Sequence, residues 1–458
     1  MVFGFQGARA VCLIFVTLTL GLPCFADLLT GGETTVFDKS VNAFGFPLTN
    51  LPLPEHPRFF AGNAFFNTNW VDASSDVNGR DGLGPLFNVR SCSTCHFKDG
   101  RGQPPDGNAV PDGWLIRISI PGTTKHNAPL PHPIYGNQVS VRALPGALPE
   151  ARVRIQYNIV DGFYPDGESY QLLDPHYTLL NWAYGDPHPE LLSSPRVASA
   201  VFGLGLLDAV SKDDILSRSD PDDQDGDGIS GRPNWVWSPS LKKTELGRFG
   251  WKANKATLLD QTAGAFVGDI GITNSLFPLE NNTDTQVLSE KFPSGGSPEL
   301  SDQDMEDVVF YLQTLAVPAA RLNDRTVFKK GKAFFGQLGC VACHIPVLKT
   351  SEDYPVSAVA DQTIRPYTDL LLHDMGEGLA DARPDFEASG SEWRTPPLWG
   401  IGLFAKVNKH TRLIHDGRAR NVEEAILWHG GEGEASKRAF MNLSAPERLA
   451  IIQFIERL

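Results

Sequence analysis

Two pentapeptides, Cys92-Ser93-Thr94-Cys95-His96 and Cys340-Val341-Ala342-Cys343-His344, restrict what this 458-residue chain can become more than any other feature. Of its six cysteines, four lie in these motifs and the others are Cys12 and Cys24. On one helical turn, positions i, i+3 and i+4 share a face. Two thiols so placed can add to the two vinyl groups of a haem while the following histidine reaches the iron, the pattern of c-type haem attachment. Ser93, Thr94, Val341 and Ala342 are small or unobtrusive, as close approach of a porphyrin requires. A disulfide, a redox dithiol and a zinc site compete with this reading, and zinc could take all four thiolates. Zinc does not explain a histidine at both fifth positions. The expected cofactors are therefore two covalent haem c groups on Cys92, Cys95, Cys340 and Cys343, with His96 and His344 as iron ligands.

The N-terminus has a single charge, Arg9, then an apolar run from Val11 to Leu22, then Pro23-Cys24-Phe25-Ala26. That is the layout of a signal peptide over 1–26, and it predicts a periplasmic or otherwise exported protein. An uncleaved anchor is the competing reading; a lipoprotein at Cys24 is disfavoured by the preceding Pro23. Cleavage after Ala26 removes Cys12 and Cys24, so every remaining cysteine belongs to a C-x-x-C-H motif. No later segment reaches the ~18 apolar residues of a membrane span, so no membrane insertion is expected. The formal charge of −14 becomes −15 once Arg9 is removed. Such a balance disfavours nucleic acid and anionic membrane. It fits a small soluble electron donor with a basic docking face, a cytochrome c or a cupredoxin, and equally fits an acidic surface that merely keeps the protein in solution.

A diverged internal repeat sets the expected architecture. In the second copy, Arg325 to Leu338 reads as an amphipathic helix with Val327, Phe328, Gly331, Phe334, Phe335 and Leu338 on one face. The copy closes on "LSAPERLAIIQFIERL", where Ser444 is a good N-cap, Pro446 lies in the first turn and Glu447 completes a capping box. The first copy closes on a matching segment, "LSDQDMEDVVFYLQTL", from Leu300. His344 to Leu443 is 99 residues and His96 to Leu300 is 204, so the first copy is about a hundred residues longer. Its extra residues read as partly β at 114–120, 139–142 and 152–157. Val197 to Asp208 and Ala256 to Phe266 read as helices, Leu279 to Leu300 as a polar loop, and Val317 to Asn323 as a linker. The predicted fold is mainly α, with two cytochrome c-like domains over 27–316 and 324–458, the first enlarged by a partly β insertion.

Three further strings lie C-terminal to Cys340: Trp393-Arg394-Thr395-Pro396-Pro397-Leu398, Ile414-His415-Asp416-Gly417-Arg418 and Val422-Glu423-Glu424-Ala425-Ile426. With the two haem motifs, they make the chain resemble the bacterial di-haem cytochrome c peroxidase superfamily, closest to its di-haem oxidoreductase branch, sometimes labelled thiol oxidoreductase. The resemblance covers most of the mature chain. Fourteen residues after the His of H-D-G, family peroxidases place the methionine that ligates the electron-transfer haem, and a related enzyme places tyrosine. This chain has His429 there, which implies bis-histidine ligation of the second haem by His344 and His429. Replacing a thioether by imidazole lowers the reduction potential. A structural histidine at a helix C-terminus is the competing reading.

A weaker match in the first copy runs from Gly250-Trp251-Lys252 through Leu258-Leu259-Asp260-Gln261 to Gly268-Asp269-Ile270-Gly271, with a shorter Gln-to-acid spacing than in the family. By that resemblance Trp251 relays electrons between the haems, Gln261 orients peroxide and Asp269 moves the proton that O–O cleavage needs. A core tryptophan and a helix-capping Asp269 compete with it. Family peroxidases also keep a calcium ion between domains on carbonyls that match Thr395 and Pro397. A second candidate calcium site is Asp223, Asp225 and Asp227, at positions 1, 3 and 5 of a calcium loop with Gly228 at position 6, although position 12 is Asn234 rather than Glu. A solvated acidic turn explains the same residues. His373 and Met375 read as loop residues near a haem, and the other histidines carry no signature. The function this implies is a di-haem, peroxidase-like oxidoreductase with haem one reactive and haem two transferring electrons. The alternative is a di-haem electron carrier without peroxidase activity.

Overall fold

The computed structural model describes residues 26–75, 79–104, 113–286, 288 and 291–458. The signal-peptide reading therefore lies, all but Ala26, outside the described residues. The principal elements follow in the order α1 (His56–Asn67), β1 (Trp114–Thr123), β2 (Arg152–Phe163), β3 (Ser169–Leu180), β4 (Leu192–Val197), α2 (Leu258–Ala265), α3 (Asp302–Thr314), α4 (Arg325–Gln337), α5 (Val422–Leu427) and α6 (Ala445–Ile455). Helix accounts for 29 % and strand for 19 %, so the chain is more evenly mixed than the expected mainly-α fold. Among the described residues, no helix is long and apolar enough to cross a membrane.

The repeat is visible as two equivalent helix crossings. In the second copy, α4 packs its Phe328–Gly331–Phe335 face on α6, and Gly331 sits so close that a Cβ there would lie 2.1 Å from the Ala450 carbonyl oxygen. In the first copy, α1 packs on α3, and a Cβ on Gly62 would lie 2.0 Å from the Asp307 carbonyl oxygen. Four residues after each glycine comes a phenylalanine. Phe66 lies 6.0 Å from the His96 ring and Phe335 lies 6.1 Å from the His344 ring, centroid to centroid. Each also packs on an aromatic of the closing helix, Tyr311 or Phe454. Gly331→Ala should cost roughly 1–3 kcal/mol, the usual penalty for overpacking a tight contact. Denaturant unfolding of the holoprotein checks this, with a lower midpoint and an unchanged slope as the expected result.

Ser444 and Glu447 form the expected capping box on α6, and Ser301 caps α3. The insertion has more strand than its sequence suggests. β1 pairs antiparallel with β4, from Trp114↔Val197 to Ser119↔Leu192. β2 and β3 form a long hairpin, from Arg152↔Leu180 to Phe163↔Ser169. Its tip reaches the second copy, where Arg448 pairs with Asp166 at 3.0 Å and Tyr164 Oη donates to Glu423 at 2.7 Å.

Three expectations need correction. Val197 to Asp208 is helical only over Leu204–Asp208. Its first part is held extended by long-range bonds, from Val197 N–H to the His415 carbonyl (2.7 Å) and from Ala198 N–H to the Gly113 carbonyl (2.9 Å). Residues 139–142 yield only the two-residue strand Arg142–Ala143, paired with Leu86–Phe87. The 317–323 linker is tied down, with Val317, Ala319 and Ala320 buried and Ala319 N–H bonded to the Val36 carbonyl. One apolar core joins residues of both copies, from Ala43 to Leu458, and a smaller one lies under the insertion around Trp114, Ile116, Ile118, Val153 and Ile155.

Candidate functional site

Both pentapeptides fold as single turns. His96 N–H donates to the Cys92 carbonyl at 2.9 Å, and His344 N–H to the Cys340 carbonyl at 3.0 Å. These i→i+4 bonds bring the first cysteine and the histidine of each motif to one face. None of the four cysteines forms a disulfide. All four, with His96 and His344, line one cavity shared by the two copies.

The histidines are set up alike. His96 Nδ1 donates to the Ser199 carbonyl (2.7 Å) and His344 Nδ1 to the Tyr367 carbonyl (2.9 Å). His429, just beyond α5 and lining the same cavity, donates from Nδ1 to the Ala425 carbonyl (2.7 Å). Pinning Nδ1 to a carbonyl fixes the tautomer and leaves Nε2 as the ligating atom. Burial pushes the His96 and His344 imidazoles down to about 4 and lowers that of His429, so all three are neutral, as an iron ligand must be. His344 and His429 line the same cavity. Three neutral imidazoles, paired thiols and a common cavity fit two haem groups.

Of the eleven histidines, only His96, His344, His373, His415 and His429 line the cavity. His373 is spoken for at both nitrogens, Nε2 by Asp369 (2.8 Å) and Nδ1 by Glu432 (2.6 Å). Burial opposes its charge, but the carboxylates prevail and hold it protonated. His415 stacks on Trp393 at 3.7 Å, with planes 10° apart. Met375 joins Trp251, Trp393 and Trp428 in an apolar cluster and approaches Gly433, near His429.

Trp251, Gln261 and Asp269 all line the cavity. Trp251 is buried, its Nε1 donates to the Val197 carbonyl at 2.7 Å, and the Arg101 guanidinium lies 5.1 Å from its ring. Asp269 occupies a π-helical turn, Phe266–Ile270, that continues α2. Such turns are frequent at functional sites. Burial raises the Asp269 pKa; a hydrogen bond from Gln138 Nε2 (2.7 Å) and the charges of Arg117 and Lys255 act the other way. The Asp269 carbonyl accepts from Asn88 N–H (2.8 Å) and Val89 N–H (3.1 Å), which ties this turn to the segment just before Cys92.

Sequence reasoning missed Gln138, Arg117 and Lys255. Gln138, rather than Gln261, is the residue bonded to Asp269. β1 explains Arg117 through its period of two: Trp114, Ile116 and Ile118 pack into the insertion's core while Leu115 and Arg117 face the cavity. The insertion thus builds a wall of the first motif's pocket. Lys255 lines the same cavity, and burial brings its pKa down to about 8.

The calcium candidates stand differently. The Thr395 carbonyl accepts from Thr368 Oγ1 (2.6 Å) and from Arg394 Nη1 (3.0 Å). Both its lone pairs are used, so it does not fit a calcium ion, and a guanidinium supplies the cation there. In the acidic loop, Asp223 and Asp225 group with Asp220, whereas the Asp227 carboxylate accepts from Ile229 N–H at 2.8 Å. Asn234, at the twelfth position, turns inward to the Lys252 and Asp385 carbonyls.

A family model described as "Di-haem oxidoreductase, putative peroxidase" matches residues 26–458. The chain belongs to that family. As a di-haem oxidoreductase it is expected to hold two haems, and the cavity has two matching ligand sets. No curated protein matches the chain. Among solved structures, Kuenenia stuttgartiensis hydrazine synthase, pressurized with 20 bar xenon, aligns over 99 % of this chain and 100 % of that one, with 13 % identity and a TM-score of 0.34.

Proposed function

We propose that this di-haem oxidoreductase is an exported c-type cytochrome that reduces peroxide at the site of Cys92, Cys95 and His96, with electrons entering through the site of Cys340, Cys343, His344 and His429. The reaction balances as one peroxide, two electrons and two protons giving two waters. A small soluble electron-donor protein, a cytochrome c or cupredoxin, supplies the electrons. The single observation that carries the reading is the asymmetry between the two sites. The second has a spare neutral imidazole, His429. Beside the first stand an acid and its hydrogen-bond donor, Asp269 and Gln138, while the other neutral histidine of the cavity, His415, is stacked flat on Trp393.

A haem at His96 would supply the iron that accepts peroxide and passes electrons to it. The chain's own groups do the rest. Asp269 is raised by burial yet held in reach of ionisation by Gln138, Arg117 and Lys255, the condition for a carboxylate that takes up a proton and returns it. Gln261 and Gln138 present amides to the same space. Trp251 lies on the cavity wall common to both sites and serves as the electron relay.

Two measurements test this on the purified protein. A pyridine haemochrome assay should give two haems per polypeptide, resistant to acid-acetone. The EPR spectrum of the oxidised protein should show one high-spin and one low-spin centre. Two low-spin centres would favour the electron-carrier alternative, and metal without a Soret band would overturn the haem assignment.

A further inference from the structure

We propose that Lys252 is a positioning residue whose ammonium, locked into an oxygen cage of the 381–390 loop, fixes the neighbouring Trp251 against the second half of the molecule. The proposal rests on the reading of Trp251 as the electron relay.

Lys252 is among the largest fully buried side chains in the protein. Its Nζ donates to Asp381 Oδ1 (3.0 Å) and to the carbonyls of Ser389 (2.6 Å), Arg383 (3.1 Å) and Gly390 (3.1 Å). It also lies 4.3 Å from the centre of the Trp393 ring. One carboxylate, three carbonyls and an aromatic face form the donor set of a cation site, and here the cation is tethered to the chain. The loop bends to make it, since Ala382 and Phe386 both take left-handed backbone conformations, with φ of 58°.

Burying an ammonium carries a desolvation penalty that its partners must offset, and an apolar side chain of similar volume fills space without that penalty. An ammonium whose three N–H groups are shared among four oxygens instead fixes where its own backbone sits. That backbone is the turn carrying Trp251. The turn is held elsewhere too: Arg394 Nε donates to the Gly250 carbonyl (3.0 Å), Arg394 N–H to the Trp251 carbonyl (2.8 Å) and Asn234 Nδ2 to the Lys252 carbonyl (2.7 Å). Arg394 thus holds the residues before Lys252, whereas the ammonium holds the residue immediately after the indole. Residues 250–252 come from the first copy and 381–394 from the second, so the indole is registered to both sites at once.

The test uses the holoprotein. Lys252→Ala should keep both haems and slow electron transfer between them, followed after flash reduction, by about 10- to 100-fold, the scale of an ångström-sized misplacement. Propylammonium should refill the vacated cage, restoring most of the rate. It should also raise the melting temperature of Lys252→Ala but not of the wild type. Asp381→Asn, which keeps the Lys252 side chain and removes the cage's charge, should give a smaller slowing and guards against Lys252→Ala failing to fold. Trp251→Phe is the comparator. If Trp251→Phe slows transfer and both cage variants match wild type, Lys252 has no positioning role. If Lys252→Ala slows transfer but propylammonium neither binds nor restores it, the cage is not what fixes the indole. If Trp251→Phe itself leaves transfer unchanged, the relay reading falls and takes the proposal with it.

Discussion

Asp269→Asn should slow peroxide turnover by about 10²–10⁴, the usual contribution of a general acid–base group, while haem content and the low-spin spectrum stay as they are. The amide is nearly isosteric and still accepts the 2.7 Å hydrogen bond from Gln138, so the turn is preserved and only the titrating group is lost. Gln138→Leu separates this role from a structural one. A donor to the carboxylate favours its charged form. Removing it raises the Asp269 pKa further, so the limb of the pH–rate profile on which the carboxylate ionises should move to higher pH. A Gln138→Leu profile that does not move, with full activity in Asp269→Asn, would remove both residues from the mechanism.

What could be read from the sequence divides by the range of the interactions involved. The capping box at Ser444 and Glu447 and the apolar face of α4 are decided within a few residues, so they were legible. The pair Gly62 and Phe66 repeats the spacing of Gly331 and Phe335, and α1 could have been found by carrying that spacing back to the first copy. Val197 to Val201 was not legible as extended, because its conformation is fixed by Trp114, Gly113, Asp99 and His415, all distant in sequence. β3 contains Pro175 and lacks clean alternation; it is a strand because β2 offers it a full ladder.

The site follows the same division. C-x-x-C-H is a local motif, and both copies are legible in the sequence. The family resemblance picks out His429 and Asp269, and in the fold both are half-buried and line one cavity. Gln138, Arg117 and Lys255 reach the cavity from separate elements, and no local pattern announces them. The caged ammonium was invisible for a related reason. Lys252 and Arg394 are ordinary charges in the sequence, and only the fold reveals that they are buried and surrounded by carbonyls.

His429→Met should raise the reduction potential of one haem by on the order of 0.1 V, a fraction of the roughly 0.8 V that axial ligation spans, and leave the other nearly unchanged. The His429 imidazole is neutral and half-buried on the cavity wall, and its Nδ1 is committed to the Ala425 carbonyl, so Nε2 is the nitrogen left to ligate. His344 is oriented in the same way by Tyr367 and lines the same cavity. His373, the other histidine near this motif, cannot compete, because Asp369 and Glu432 hold both its nitrogens. Thioether in place of imidazole stabilises the reduced iron, which gives the sign. His429→Ala gives the complementary result: the low-spin EPR signal should be lost and a second high-spin signal gained, with two haems per chain retained. A low-spin signal that survives in His429→Ala would mean that another group ligates the second iron, and the bis-histidine assignment would be abandoned.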